Sequence, residues 1–436
     1  KLGEDATYRF YAKRFGRDNT VSATGQTASD AWQNGQLGFR LDWGKADDTL
    51  TLQGDAYDGS IDQAVLNDKT ISGHNLLGRW TRALGNGSSL QVQTYYDNTR
   101  RNYPGMFGEI LDTYDLDVQH RFAWRAGHEV VWGGGYRVLR DQVTNSAQFA
   151  FLPASRSLGL GNIFAQDTIT FGERLLLTAG VKLEHNSYTG LEVQPSARLA
   201  WKLREHELLW SAVSRAVRTP SRLDRDLFVP GTAPFLFAGG PDFRSEKLTA
   251  YEIGYRSQPA SYASYSISTF YNVYDRLRSL EPAPGGGLPF VISNKMEGST
   301  YGIEMWGSYR MRDWWQLKAG YNYLKQELRF TPDSRDVSGV QAAGNDPAHQ
   351  FSLRSTMNLA NRTEFDLGLR SVGALPNPNV PAYVALDARL GWLVTKDVEV
   401  SLAGFNLFDK RHPEFGALPA RSEIGRKIYA RILWKF

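Results

Sequence analysis

Cysteine is missing from this chain of 436 residues, so disulfide bonds and thiolate metal or redox sites are excluded. Also missing is any apolar run of about 18 residues, the length that a membrane-spanning helix requires. A helical membrane protein is thereby excluded. A barrel that shows apolar side chains only at alternate positions is not, because its signal per segment is halved. The chain lacks a charge imbalance as well: 50 Lys and Arg stand against 46 Asp and Glu, a formal net charge of +4. A nucleic-acid-binding protein usually concentrates positive charge more heavily, so no nucleic-acid partner is expected. Lys1 is neither an initiator methionine nor the start of a signal peptide, which points to a processed or truncated product.

Catalytic patterns are lacking too. The seven histidines show no pair at helical ligand spacing, and neither a Walker loop nor a Gly-x-Ser-x-Gly elbow occurs. Gly298-Ser299-Thr300-Tyr301-Gly302 has Thr where the elbow needs Ser, and it opens a strand. Asp112, Asp115 and Asp117 begin like a calcium loop, but the spacing fails beyond three positions. No enzyme, metal site or cofactor is expected.

What the chain does have is aromatic residues, glycine and a period of two. It carries 22 Phe, 21 Tyr, 12 Trp and 42 Gly. From Tyr114 to Arg125 one face reads Tyr114, Leu116, Val118, His120, Phe122, Trp124, and the other Asp115, Asp117, Gln119, Arg121, Ala123, Arg125. Alternation is the strand signal. Sandwich strands average five or six residues, whereas these run for the nine to twelve needed to cross a bilayer at a tilt.

Twenty strands are expected. Eleven lie near 6–14, 33–43, 48–57, 73–82, 88–97, 110–124, 127–139, 162–171, 173–185, 193–203 and 206–216. Nine more lie near 247–256, 262–274, 299–310, 313–327, 348–359, 362–371, 382–393, 398–406 and 423–436. Short connections such as 44–47, 83–87 and 311–312 alternate strictly with longer ones at 15–32, 58–72, 98–109, 140–161, 186–192, 217–246, 275–298, 328–347, 372–381 and 407–422. One rim of an up-and-down barrel then carries tight turns and the other carries loops, as in outer-membrane proteins. Both termini fall on the tight-turn, periplasmic rim. In hydrocarbon no backbone N–H or C=O can go unpaired, so strands span only as a closed ring. The fold class expected is therefore all-β, a transmembrane antiparallel up-and-down barrel forming one domain over residues 1–436.

Trp43, Trp80, Trp124, Trp132, Trp201 and Trp392 lie toward strand ends or on the apolar face. Such positions suit an interfacial girdle, with ordinary core packing as the plainer reading. Ile428, Ala430, Ile432, Trp434 and the terminal Phe436 share one face of the last strand. That pattern resembles the assembly signal of bacterial outer-membrane proteins, which the barrel assembly machinery reads.

Several segments resemble the barrel of TonB-dependent outer-membrane receptors. They are Tyr8 to Phe15, Gly38 to Trp43, Ser214-Arg215-Ala216-Val217-Arg218-Thr219-Pro220, Ser245-Glu246-Lys247-Leu248-Thr249-Ala250-Tyr251-Glu252-Ile253-Gly254 and Gly404-Phe405-Asn406-Leu407-Phe408-Asp409. The resemblance implies 22 strands, an N-terminal plug, an energy-coupling TonB box and an inner-membrane partner, TonB. Neither plug nor TonB box is found here, and a shortfall of two strands fits a chain that begins after the plug and the first barrel hairpin. It implies active uptake of a scarce chelate, such as a ferric siderophore, in a membrane of lipid and lipopolysaccharide. A passive porin-like pore and a soluble β-rich binding protein are the alternatives.

Charged residues expected on the inner face include Arg40, Arg121, Arg137, Arg354, Arg389, Asp42, Asp115, Glu129 and Asp366. They would hold a plug or guide an anionic chelate, or merely pair across strands on a wet wall. Arg218, Asp224, Arg225 and Asp226 open the longest loop. Their density suits contact with plug or ligand, and equally a solvated charge cluster.

Overall fold

The computed structural model describes residues 3, 5–343, 345–360, 362–419 and 421–435, without the side chains of 342 and 343. Twenty strands of eight or more residues build one antiparallel wall. In chain order they are β1 Ala6–Arg17, β2 Trp32–Lys45, β3 Asp48–Ile61, β4 Lys69–Gly85, β5 Ser88–Tyr103, β6 Phe107–Arg125 and β7 His128–Thr144. There follow β8 Ser155–Phe171, β9 Leu175–Asn186, β10 Gly190–Arg204, β11 Glu207–Arg218, β12 Glu246–Ala260, β13 Ala263–Pro282 and β14 Phe290–Arg312. The last six are β15 Trp315–Phe330, β16 His349–Leu359, β17 Thr363–Val372, β18 Tyr383–Leu393, β19 Val398–Phe405 and β20 Lys427–Trp434. Each pairs with the next in sequence.

Period two becomes two faces. Across β2 to β6 the register sets Trp43, Leu50, Trp80, Val92 and Val118 in one row on the outer face. All six tryptophans of the expected girdle lie on strands, Trp124 and Trp392 each one residue from a strand's end at the tight-turn rim. The apolar residues are displayed rather than buried, and among the described residues the buried hydrophobic set holds only small clusters. This is the inverse of a soluble sandwich, whose inner faces would close on each other.

The tight rim follows from turn chemistry. Gly85 pairs with Ser88 around Asn86-Gly87, whose φ values are +51° and +75°. That is the two-residue turn whose twist matches the strands. Two-residue turns also join Lys45 to Asp48 and Arg125 to His128.

Two expectations are revised. Long and short connections do not alternate strictly by coil length, because 104–106 and 187–189 are turns of three residues. The segments expected as loops at 98–109 and 186–192 keep pairing, since β5 and β6 run on to Tyr103 and Phe107. The extra length on that rim is spent on strands that rise past the membrane, most of all β13 and β14. The ring also stays open: among the described residues no ladder joins β1 to β20. Their side chains are correspondingly bare, Phe10 at 73% and Ile428 at 77% exposed. Ile432 and Trp434 share one face of β20, while Phe436 lies outside the described residues.

Candidate functional site

The inner wall mostly pairs its own charges. Arg40 meets Asp42 at 2.6 Å, Arg121 meets Glu129 at 2.6 Å, and Arg137 meets Asp115 at 2.9 Å. Arg389 reaches Glu364, Asp366 and Glu399 at 2.8, 3.1 and 2.5 Å. The exposed pairs, Arg40 with Asp42 and Arg121 with Glu129, contribute a fraction of a kcal/mol each, while Arg389 and Asp115 are half-buried.

The longest connection, 219–245, departs from this pattern by folding back onto the wall. Residues 227–229 pair with 237–238 and with 150–151, and 237–238 lie parallel to Phe290 and Val291. Beneath it lies a buried ion network. Arg222 donates to Asp141 at 2.7 Å and Asp226 at 3.1 Å, and to the carbonyls of Pro153 and Ala154. Asp226 also accepts from Arg156 at 2.7 Å and the Tyr188 hydroxyl at 2.9 Å. Asp224 accepts from Arg218 and from both the backbone N–H and the hydroxyl of Ser221, each at 2.9 Å.

Burial sets the electrostatics. Asp224 is 1% exposed. Burial alone would raise its carboxyl, but Arg218 and Ser221 outweigh that and hold it below the usual carboxylate range. Burial, then the bond to Asp226, pushes the Tyr188 phenol up. Glu109, on the part of β6 that rises past the membrane, is raised by burial and by Asp141.

The four residues singled out in the sequence therefore divide. Asp224 and Asp226 are buried and taken up by arginines. Arg218 and Arg225 keep one side toward open cavities. Sequence reasoning missed Arg222, Asp141, Arg156 and Tyr188, which complete the network. Nothing local marks them, since Arg222 and Asp141 are 81 positions apart. The motif residues do carry a readable role. Arg218 binds Glu246 at 2.6 Å and lies over the ring of buried Phe243, closing the loop's base. Asn406 takes a positive φ of 55° and ties Asp387 to Gly425.

Between this loop, loop 331–348 and the inner faces of β11 to β15 lies a cavity of about 870 Å³. Its lining includes Arg218, Phe237, Tyr274, Arg278, Thr300 and Gln326. Asp336 on its rim is engaged by the N–H and hydroxyl of Ser338 at 2.7 and 2.6 Å. Arg278 approaches Asp224 only to 3.7 Å and is 57% exposed, so it is the cation most open to a guest. The size lies within the range of small-molecule sites.

Known proteins share this architecture. The chain is 22% identical over 289 residues to the "Iron-regulated outer membrane virulence protein" of Vibrio cholerae, matching 61% of this chain and 43% of that protein. It thus spans less than half the length of that curated relative. The siderophore receptor PirA from Pseudomonas aeruginosa shares the fold with a TM-score of 0.74 at 17% identity, over 100% of this chain and 74% of that one. The copper transporter OprC does so with a TM-score of 0.78 at 15% identity, over 99% and 76%. The family model "TonB dependent receptor-like, beta-barrel" matches residues 2–407. That family is made up of receptors and transporters rather than enzymes. The chain belongs to the TonB-dependent receptor-like β-barrel family of the outer membrane.

Proposed function

We propose that residues 1–436 act as a single transmembrane barrel domain, termini in the periplasm, that takes up a scarce metal chelate. A ferric siderophore is the preferred cargo, captured by the long loops, passed through the lumen and energised by TonB. The barrel assembly machinery would insert the chain through Ile428, Ile432, Trp434 and Phe436. One observation carries the reading: the 870 Å³ cavity at the long-loop mouth, opening on the lumen and holding Arg218 and the exposed Arg278 beside Phe237 and Tyr274. Arginine with aromatic faces suits an anionic, aromatic-rich chelate. The iron regulation named in the Vibrio cholerae relative supports iron over copper.

The test is binding of ferric siderophores to the folded chain, followed by quenching of its tryptophan fluorescence. Replacing Arg218 and Arg278 by Ala should weaken an anionic chelate by tenfold or more. Failure of every chelate to bind a folded barrel at micromolar concentration would overturn the reading. A passive pore is the second reading, favoured by lumen-facing arginines such as Arg354, 66% exposed. Large, ohmic single-channel steps in a planar bilayer without chelate selectivity would establish it.

A further inference from the structure

The outer face of the wall carries a basic recess where it meets the long-loop rim. A cavity of about 640 Å³ is lined there by Arg215, Arg225, Arg244, Lys247 and Arg276, with Asp242 and Glu192. Alternation places it outside the lumen. Arg215 opposes Thr249, and Val217 opposes Lys247, on the same face as the pair Val213 and Tyr251. Just below stand Leu191, Val193, Val213, Tyr251, Tyr271 and Val273, all exposed and apolar.

Height can be read from the strand. Lys247 is eight residues from Tyr255 on β12, about 27 Å along the strand. At a tilt of about 40° that is roughly 20 Å along the membrane normal, near the top of an apolar band about 25 Å tall. The recess therefore sits at head-group level on the loop side.

Three of its five cations are unspent. Among the described residues the charged groups of Arg215, Arg244 and Lys247 have no carboxylate, carbonyl or ring partner. The Arg225 Nε is buried without a hydrogen bond, its other nitrogens held by the carbonyls of Tyr188 and Pro241. Of the acids, Glu192 already accepts from Thr189 at 3.1 Å, and Arg276 meets Asp275 at 3.5 Å. Unpaired arginines above an apolar stripe match a group that is phosphate at one end and acyl chain at the other.

We infer that this recess binds the phosphorylated head group of a lipopolysaccharide, with Arg215, Arg244 and Lys247 on the phosphates and the acyl chains along Leu191, Val193 and Val213. The inference rests on the outer-membrane reading, and it fixes which rim faces outward, because that lipid occupies only the outer leaflet.

The test uses the full chain folded in detergent, titrated with phosphorylated lipid A and read by native mass spectrometry. One lipid should be retained per chain. Replacing Arg215, Arg244 and Lys247 together by Gln should weaken retention about a hundredfold. The swap Arg215→Lys, Arg244→Lys, Lys247→Arg should keep most of it. A matched control replaces Arg198, Arg256 and Arg431, on the lumen face, by Gln and should bind as the parent does. Equal retention of dephosphorylated lipid A, or equal loss in the lumen control, would overturn the inference. Displacement by inorganic phosphate alone at millimolar concentration would also overturn it, assigning the recess to free phosphate. Failure of the membrane reading looks different, since the chain would then be soluble without detergent.

Discussion

Removing Arg222 should release loop 219–245 while leaving the barrel standing. The guanidinium is 7% exposed and bridges Asp141 and Asp226, carboxylates that are themselves almost wholly buried. Arg222→Ala leaves Asp141, among the described residues, with no cation within hydrogen-bond reach, though Asp226 keeps Arg156 and Tyr188. Breaking a buried pair by deleting one partner costs about 3–5 kcal/mol, because the surviving charge stays desolvated. The loop can escape that cost by undocking, so the loss falls on its local opening equilibrium. At 1.36 kcal/mol per decade this is about a 150- to 5,000-fold faster exchange. Hydrogen exchange should report it at the amides that stitch the loop down, those of Leu152, Gly231 and Phe290, which bond across to Asp226, Ala147 and Leu236. Tyr188→Phe removes one hydrogen bond and should accelerate the same amides only about fivefold. Unchanged exchange in Arg222→Ala would refute the argument. So would equal acceleration in β2 to β6, which would make the network part of global stability.

Further outcomes follow from the same geometry. Loop docking should respond to pH in two directions. Glu109 is raised, so its penalty is relieved as pH falls from neutral through that raised value. Asp224 is lowered, so its contribution is complete above the ordinary carboxylate value of about 3.9 and is lost as pH falls through that value and below. Once normalised to the intrinsic amide rate at each pH, exchange of the loop should therefore slow slightly and then accelerate sharply as pH falls, and a monotonic rise from pH 7 would contradict this. Gly240→Ala places a Cβ 1.9 Å from the Ile292 carbonyl oxygen and should undock the loop as Arg222→Ala does. Protease cutting within 219–245 checks it. The cysteine-free chain also allows the seam to be tested. Cysteines at Leu402 and Ala430, directly paired across β19 and β20, should cross-link on oxidation, whereas cysteines at Phe10 and Ile432 should not.

Which parts of this molecule were legible in its sequence follows from the range of the interactions. Strand faces are local, because an alternating segment has only one way to put Leu116 and Trp124 toward lipid and Asp115 and Arg121 toward water. All twenty strands were accordingly placed, and Ile428, Ile432 and Trp434 share one face of β20. Loop length was less legible. Residues 98–109 look irregular because they carry charge and glycine on both faces, yet above the membrane a hairpin wet on both sides has no reason to alternate. Pairing there is held by the ladder begun below it, which local polarity does not record.

The loop network was illegible for a different reason. The cluster Arg218, Asp224, Arg225 and Asp226 is visible as charge density, but density does not distinguish a solvated patch from a buried one. The deciding partners, Asp141, Arg156 and Tyr188, stand on other hairpins and are distant in sequence. The same holds on the outer face, where Arg215 and Lys247 become neighbours of Arg225 and Arg244 because the loop returns over the rim. Arg215 and Arg218 stand three residues apart and so point to opposite sides of the wall, one toward lipid head groups and one toward the mouth cavity. A single docked loop borders both recesses, through Leu223 and Phe237 on the lumen side and Arg225 and Arg244 on the lipid side. Undocking it by Arg222→Ala should therefore weaken both chelate and lipid binding. The triple replacement of Arg215, Arg244 and Lys247 should weaken only the lipid, and a comparable loss of chelate binding in that variant would show that the two recesses are not separate.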